Sequence, residues 1–110
     1  MAVIKITNKK RGGKGEYVGR PSVLGNPFPL RSEEERERVI RRFEEWLEQA
    51  LKRDAKVRAE MNRLYSELIK KGSLELTCWC SPKPCHAEVI ARKLAEAARA
   101  RGLTVEVEYC

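Results

Sequence analysis

Aspartate, glutamine and histidine are nearly absent from this chain of 110 residues: Asp54, Gln49 and His86 are each the only one of their kind. Aromatics are also scarce, at 6% of residues, so a core must be built mostly from aliphatic side chains. There is no run of 18 or more apolar residues, which excludes a membrane-spanning helix. Ala2-Val3-Ile4 is too short an apolar segment for a signal peptide and leads straight into charge. The cytoplasm, where thiols stay reduced, is therefore the expected compartment. The pattern GxxxxGK[ST] is missing, so the Lys14-Gly15 pair does not belong to a Walker A loop. There is no internal repeat and no low-complexity tract.

Charge is plentiful instead. Charged residues make up 35% of the chain, and glutamate rather than aspartate carries nearly all the negative charge. This looks thermophile-like, with ion pairs in place of labile amides. The net charge of +7 is concentrated at one end. Residues 1–31 carry Lys5, Lys9, Lys10, Arg11, Lys14, Arg20 and Arg31 against Glu16 alone, whereas the remaining residues almost balance. Such a segment favours an anionic partner: a phosphorylated small molecule, a nucleotide or a nucleic acid. The plainer alternative is a solvated basic loop.

The length suits one domain, residues 1–110. Ala2 to Thr7, rich in Val and Ile, reads as a first strand. Ser32 to Arg53 reads as a helix. Ser32 and Glu35 offer a capping box, and Val39, Ile40, Phe43, Trp46, Leu47, Ala50 and Leu51 form one apolar stripe, read as core. Opposite charges at helical spacing, Glu34–Arg38 and Glu37–Arg41, are expected to pair on its outer face. The apolar period continues through Val57, Met61, Leu64, Tyr65 and Leu68 to Gly72. A single helix over 32–71 would span about 60 Å, too long for this domain, so two helices broken at Asp54 are expected. Leu74 to Cys80 and Leu103 to Tyr109 read as strands around a helix from Ala87 to Arg101. That arrangement is a Rossmann-like βαβ unit. The sequence thus predicts an α/β fold, a small sheet of about three mainly parallel strands with helices packed on it.

Two stretches do not read as ordinary scaffold. Tyr17 to Leu30 holds three prolines and two glycines, yet also Val18, Val23, Leu24, Phe28 and Leu30. It is read as an ordered, partly buried loop, a type that is often functional; a lid that merely covers one edge of the core is the plainer reading. The second stretch, Cys78-Trp-Cys-Ser-Pro-Lys-Pro-Cys-His86, sits where a strand gives way to a helix. Open α/β sheets place their chemistry at such junctions. Trp79 is read there as a packed side chain, with stacking on a base or ring as the alternative.

The Cys/His stretch leaves several chemistries open. Cys78, Cys80, Cys85 and His86 supply three sulfurs and an imidazole, a sufficient set for tetrahedral zinc, although their spacing departs from that of fingers and ribbons. Alternatively, Cys80 and Cys85 act as thiolates favoured by open amides at a helix N-terminus, with His86 as base or hydrogen-bond donor. The plain alternative makes Cys78 and Cys80 small buried hydrophobes and His86 a helix-start residue.

With both stretches in view, Gly19-Arg-Pro-Ser-Val-Leu-Gly-Asn-Pro-Phe28 and the Cys78–His86 stretch resemble the GRxSxLGNPF and CWCxPxPCH signatures of an uncharacterised phage and bacterial family, domain of unknown function 4326. The resemblance implies that Gly19, Arg20, Ser22, Gly25, Asn26, Pro27, Cys78, Cys80, Cys85 and His86 belong to that signature; it brings no activity with it. The two stretches are expected to meet around a pocket. Arg20 would present an anion-binding fork, while Ser22, Gly25 and Asn26 would complete the ligand-binding loop. Cys80, Cys85 and His86 would be the catalytic groups. The leading expectation is a phosphorylated or nucleotide-like ligand. The alternative is a basic nucleic-acid-binding module, in which zinc would staple the Cys/His loop.

Overall fold

The computed structural model describes residues 1–20, 22–28, 31–79 and 85–109, and the architecture below is that of these residues. Strands β1 (Ala2–Asn8), β2 (Glu16–Tyr17), β3 (Ser73–Cys78) and β4 (Val105–Tyr109) form one sheet in the order β2-β3-β1-β4. All three pairings are parallel. The fold is α/β, as predicted, with β2 added at one edge. Two residues show no alternation, and what makes β2 a strand is its partner Leu76-Thr77. Tyr17 therefore ends a strand rather than opening a loop.

Alternation along β1 decides which sheet face carries the helices. Ala2, Ile4 and Ile6 are buried, as are Leu74, Leu76 and Cys78 of β3 and Val105 of β4. The other face is charged: Lys5 lies between Glu75 of β3 and Glu108 of β4. Helices α2 (Ala55–Lys71) and α3 (His86–Ala100) pack against the apolar face and each other, and α1 (Arg36–Arg53) packs on both of them. Phe43 and Leu47 of α1, Leu64 and Leu68 of α2, and Val89, Ile90 and Leu94 of α3 fill the space between. Burying side chains of this size is worth about 1.5–3 kcal/mol each. Among the described residues no helix is long and apolar enough to cross a membrane.

The expected break between α1 and α2 falls at Asp54. Its carboxylate accepts from the amides of Lys56 at 2.9 Å and Val57 at 3.4 Å, and so starts α2. Gly72, at φ +74°, ends that helix in the left-handed conformation that glycine adopts without cost. The expected start of α1 needs correction. Glu33–Glu35 wind into a 3₁₀ turn, and Ser32 makes no side-chain cap. Glu33 instead forms a fork with Arg36, with both bonds at 2.8 Å. The expected pairs Glu34–Arg38 and Glu37–Arg41 do not form either. Instead, glutamates of α1 reach across to α3, Glu44 to Arg92 at 3.1 Å and Glu48 to Lys93 at 2.9 Å.

Candidate functional site

Because the sheet is parallel, β1, β2 and β3 all end at the same edge, at Asn8, Tyr17 and Cys78. Ligands of open α/β sheets bind outside this carboxyl edge. The two unusual stretches leave from it. One follows β2, and the other links β3 to α3.

The loop after β2 is held at several points. The amide of Val18 donates to the Thr77 carbonyl at 3.0 Å, extending the strand pairing by one residue. Backbone bonds from Ser22 to Gly19 and from Gly25 to Ser22, both 2.9 Å, fold the loop into successive turns. The Asn26 side-chain oxygen accepts from the amide of Phe28 at 2.9 Å. Val18 and Leu24 are buried, as an ordered loop requires, while Val23 is exposed. A Cβ on Gly25 would stand 3.0 Å from the nitrogen, Cα and Cγ of Arg20, so only glycine lets the two segments approach this closely.

The second stretch starts α3. Cys85 is its N-cap, with Sγ accepting from the amide of Ala87 at 3.4 Å, while the Cys85 carbonyl accepts from Glu88 at 3.1 Å. The expectation of open amides at this helix start is thus corrected for two of them, which are bonded within the turn. The Cys85 thiol also donates to Cys78 Sγ at 3.2 Å, and both sulfurs are buried. That distance is a hydrogen bond between thiols, well beyond the roughly 2.05 Å of a covalent bridge.

His86 joins the two stretches. Its Nε2 lies 2.7 Å from the Val18 carbonyl. A carbonyl only accepts, so Nε2 carries the proton. The ring is 8% exposed and stands edge-on to Phe43, with centroids 5.0 Å apart. Burial holds its pKa below the ordinary 6.5; the bond to Val18 opposes that shift, and the charge of Arg20 adds to it. His86 is therefore a neutral imidazole at pH 7.

These contacts enclose a cavity of about 170 Å³. Gly19, Arg20, Asn26 and Phe28 line it from the first stretch, and Cys78, Cys85 and His86 from the second. Ser22 and Gly25 lie outside the wall: Gly25 backs Arg20, and the Ser22 hydroxyl is buried with no partner among the described residues. Cys80 lies outside the described residues. Among the described residues no three His, Cys, Asp or Glu side chains gather as a metal site.

Sequence reasoning missed four parts of the wall. Val39 and Ile40 belong to the stripe read as core, and they also line the cavity. Arg36 joins them from the first turn of α1. Trp79, read as packed, is 48% exposed and stands in the wall as well. No carboxylate is among the described residues of the wall, and none of them pairs with the Arg20 guanidinium.

The model of a protein family, Domain of unknown function (DUF4326), matches residues 4–96, which include both stretches and every described residue of the cavity wall. No curated protein and no solved structure matches the chain.

Proposed function

The chain belongs to the DUF4326 family, and we propose that it binds a phosphorylated, nucleotide-like ligand in the cavity between its two signature stretches. The observation that carries this reading is the placement of Arg20. Arg20 is exposed and lines a cavity with no described carboxylate on its wall, and Gly25 backs its main chain. A planar guanidinium matches a phosphate with two parallel hydrogen bonds. The start of α3 lies on the same wall and contributes the positive end of its dipole.

Size narrows the ligand. A cavity of about 150 Å³ accommodates benzene, so 170 Å³ takes one phosphate or one ring-sized group. The rest of a nucleotide would lie outside. Any reaction at this site would fall to Cys80, Cys85 and His86. Since Nε2 of His86 is engaged with Val18, proton transfer by this residue would use Nδ1.

Calorimetric titration with nucleoside mono- and diphosphates and with the parent nucleosides tests the proposal. The phosphorylated compounds are expected to bind and the nucleosides to bind far more weakly. Arg20→Ala is expected to cost about 10- to 100-fold in affinity, the worth of a charge-assisted hydrogen bond. Equal affinity in the variant, or no binding to the natural protein, would reject it.

A second reading, a nucleic-acid-binding module, is favoured by the 3₁₀ turn Lys9–Arg11, where three consecutive cations are exposed. It requires affinity for oligonucleotides that falls steeply with salt, and a shallower slope when these three are neutralised.

A further inference from the structure

The indole of Trp79 is half exposed, yet the residue is held by its side chain and by its main chain. Its Nε1 donates to the Tyr17 hydroxyl at 2.9 Å, and its carbonyl accepts from the Asn8 side chain at 3.1 Å. The Tyr17 hydroxyl in turn donates to the carbonyl of Arg20 at 2.7 Å. The ends of β1, β2 and β3 thus share one network with the backbone of the cation on the cavity wall. Tyr17 and Trp79 meet edge-to-face, with centroids 6.5 Å apart and planes at 80°. Lys9 places its ammonium 4.5 Å from the Tyr17 ring and 6.0 Å from that of Trp79.

An indole left half in water forgoes part of the burial that usually stabilises a tryptophan, and holding it still costs side-chain entropy. A rigid, wet aromatic face on the wall of a cavity too small for a whole nucleotide has an evident use. We propose that Trp79 is the stacking surface for the base of the ligand, so that the ligand class is base-bearing nucleotides rather than sugar phosphates or inorganic phosphate. The proposal rests on the reading of the cavity as a phosphate site and adds the part of the ligand that stays outside. Lys9 argues against the other common use of paired aromatics, a cage for a quaternary ammonium, because the protein's own cation already sits 4.5 Å over the Tyr17 ring that such a cage would need. The same ammonium favours an anionic ligand.

Trp46 and Trp79 are the only tryptophans, and Trp46 packs against Phe43 at 5.5 Å, so a ligand at the cavity is read by Trp79. The test is fluorescence and calorimetric titration with adenosine and guanosine 5′-monophosphates, ribose 5-phosphate and inorganic phosphate. The nucleotides are expected to quench the fluorescence and to bind about 10- to 100-fold more tightly than ribose 5-phosphate, the range for one base stacked on an aromatic ring. Trp79→Ala should remove that advantage, so that within this variant the nucleotides bind no more tightly than ribose 5-phosphate. Trp79→Phe, which keeps a ring but loses the bond to Tyr17, should retain part of it. Equal affinities for the nucleotides and ribose 5-phosphate would overturn the stacking role and leave the phosphate site standing. Binding of none of the four would overturn both.

Discussion

The imidazole of His86 donates its Nε2 proton to the carbonyl of Val18 at 2.7 Å, and this bond ties the loop after β2 to the first turn of α3. Both ends of the bond are buried. Each signature stretch therefore holds the other in place at the cavity.

That bond makes stability depend on pH in a definite direction. Burial keeps the folded pKa of His86 below 6.5, so the unfolded chain takes up the proton first as pH falls. The contribution of the neutral ring is complete above about pH 6.5 and is lost progressively as pH falls toward the lower folded value. Urea unfolding between pH 8 and pH 5 should show a declining midpoint. His86→Gln, which does not titrate, should lack that part of the slope. The exposed Glu48 and the partly buried Glu67 are held below their ordinary 4.5 by Lys93 and Lys71, so their loss falls at lower pH.

Gly25→Ala should loosen Arg20. The new methyl would have to displace the main chain of Arg20 as well as its Cγ. A cost of about 1–3 kcal/mol is expected, as for other overpacking substitutions. Denaturant unfolding measures that cost. Calorimetry should show weaker binding of nucleotides in the same variant. A variant of unchanged stability would mean that the loop yields more easily than its turns imply.

Cys78 and Cys85, with sulfurs 3.2 Å apart, should oxidise to a disulfide under diamide, which accepts the two electrons and two protons released. Peptide mapping by mass spectrometry should find these two cysteines joined and reopened by dithiothreitol. A bridge to Cys80 instead would contradict the prediction. Native mass spectrometry before and after chelation weighs the zinc reading. An excess of one zinc that leaves with the chelator would support it, and the bare chain mass in both samples would remove it.

Asp54→Ala should lower stability by about 1 kcal/mol, the usual worth of an N-cap. The carboxylate accepts from two amides at the start of α2, far in sequence from the cavity. Urea unfolding should register the loss, and ligand affinity should not change. A substantially weaker ligand would show that the α1–α2 junction supports the site.

Local chemistry made much of this protein legible. Asp54 and Gly72 bound α2 because capping and a left-handed turn depend on a few adjacent residues. The alternation of Ala2, Ile4 and Ile6 marked a half-buried strand. Gly19-Arg20 and Cys85-His86 stood out because neither run makes sense as plain scaffold. The capping box at Ser32 was misleading because Glu33–Glu35 wind into a 3₁₀ turn, in which the Glu35 amide donates to the Ser32 carbonyl at 3.1 Å instead of to the Ser32 side chain.

The sequence by itself determined the α/β class, the helix break and the two segments that stand apart from plain scaffold, since each is written in neighbouring residues. Tertiary structure decided the rest. β2 exists because Leu76 and Thr77 offer it a ladder. Val39 and Ile40 line the cavity because of where α1 crosses, which periodicity does not encode. The neutral state of His86 depends on burial against Phe43 and on a carbonyl 68 residues away. Trp79 stands half in water because Asn8 and Tyr17, from two other strands, hold it there.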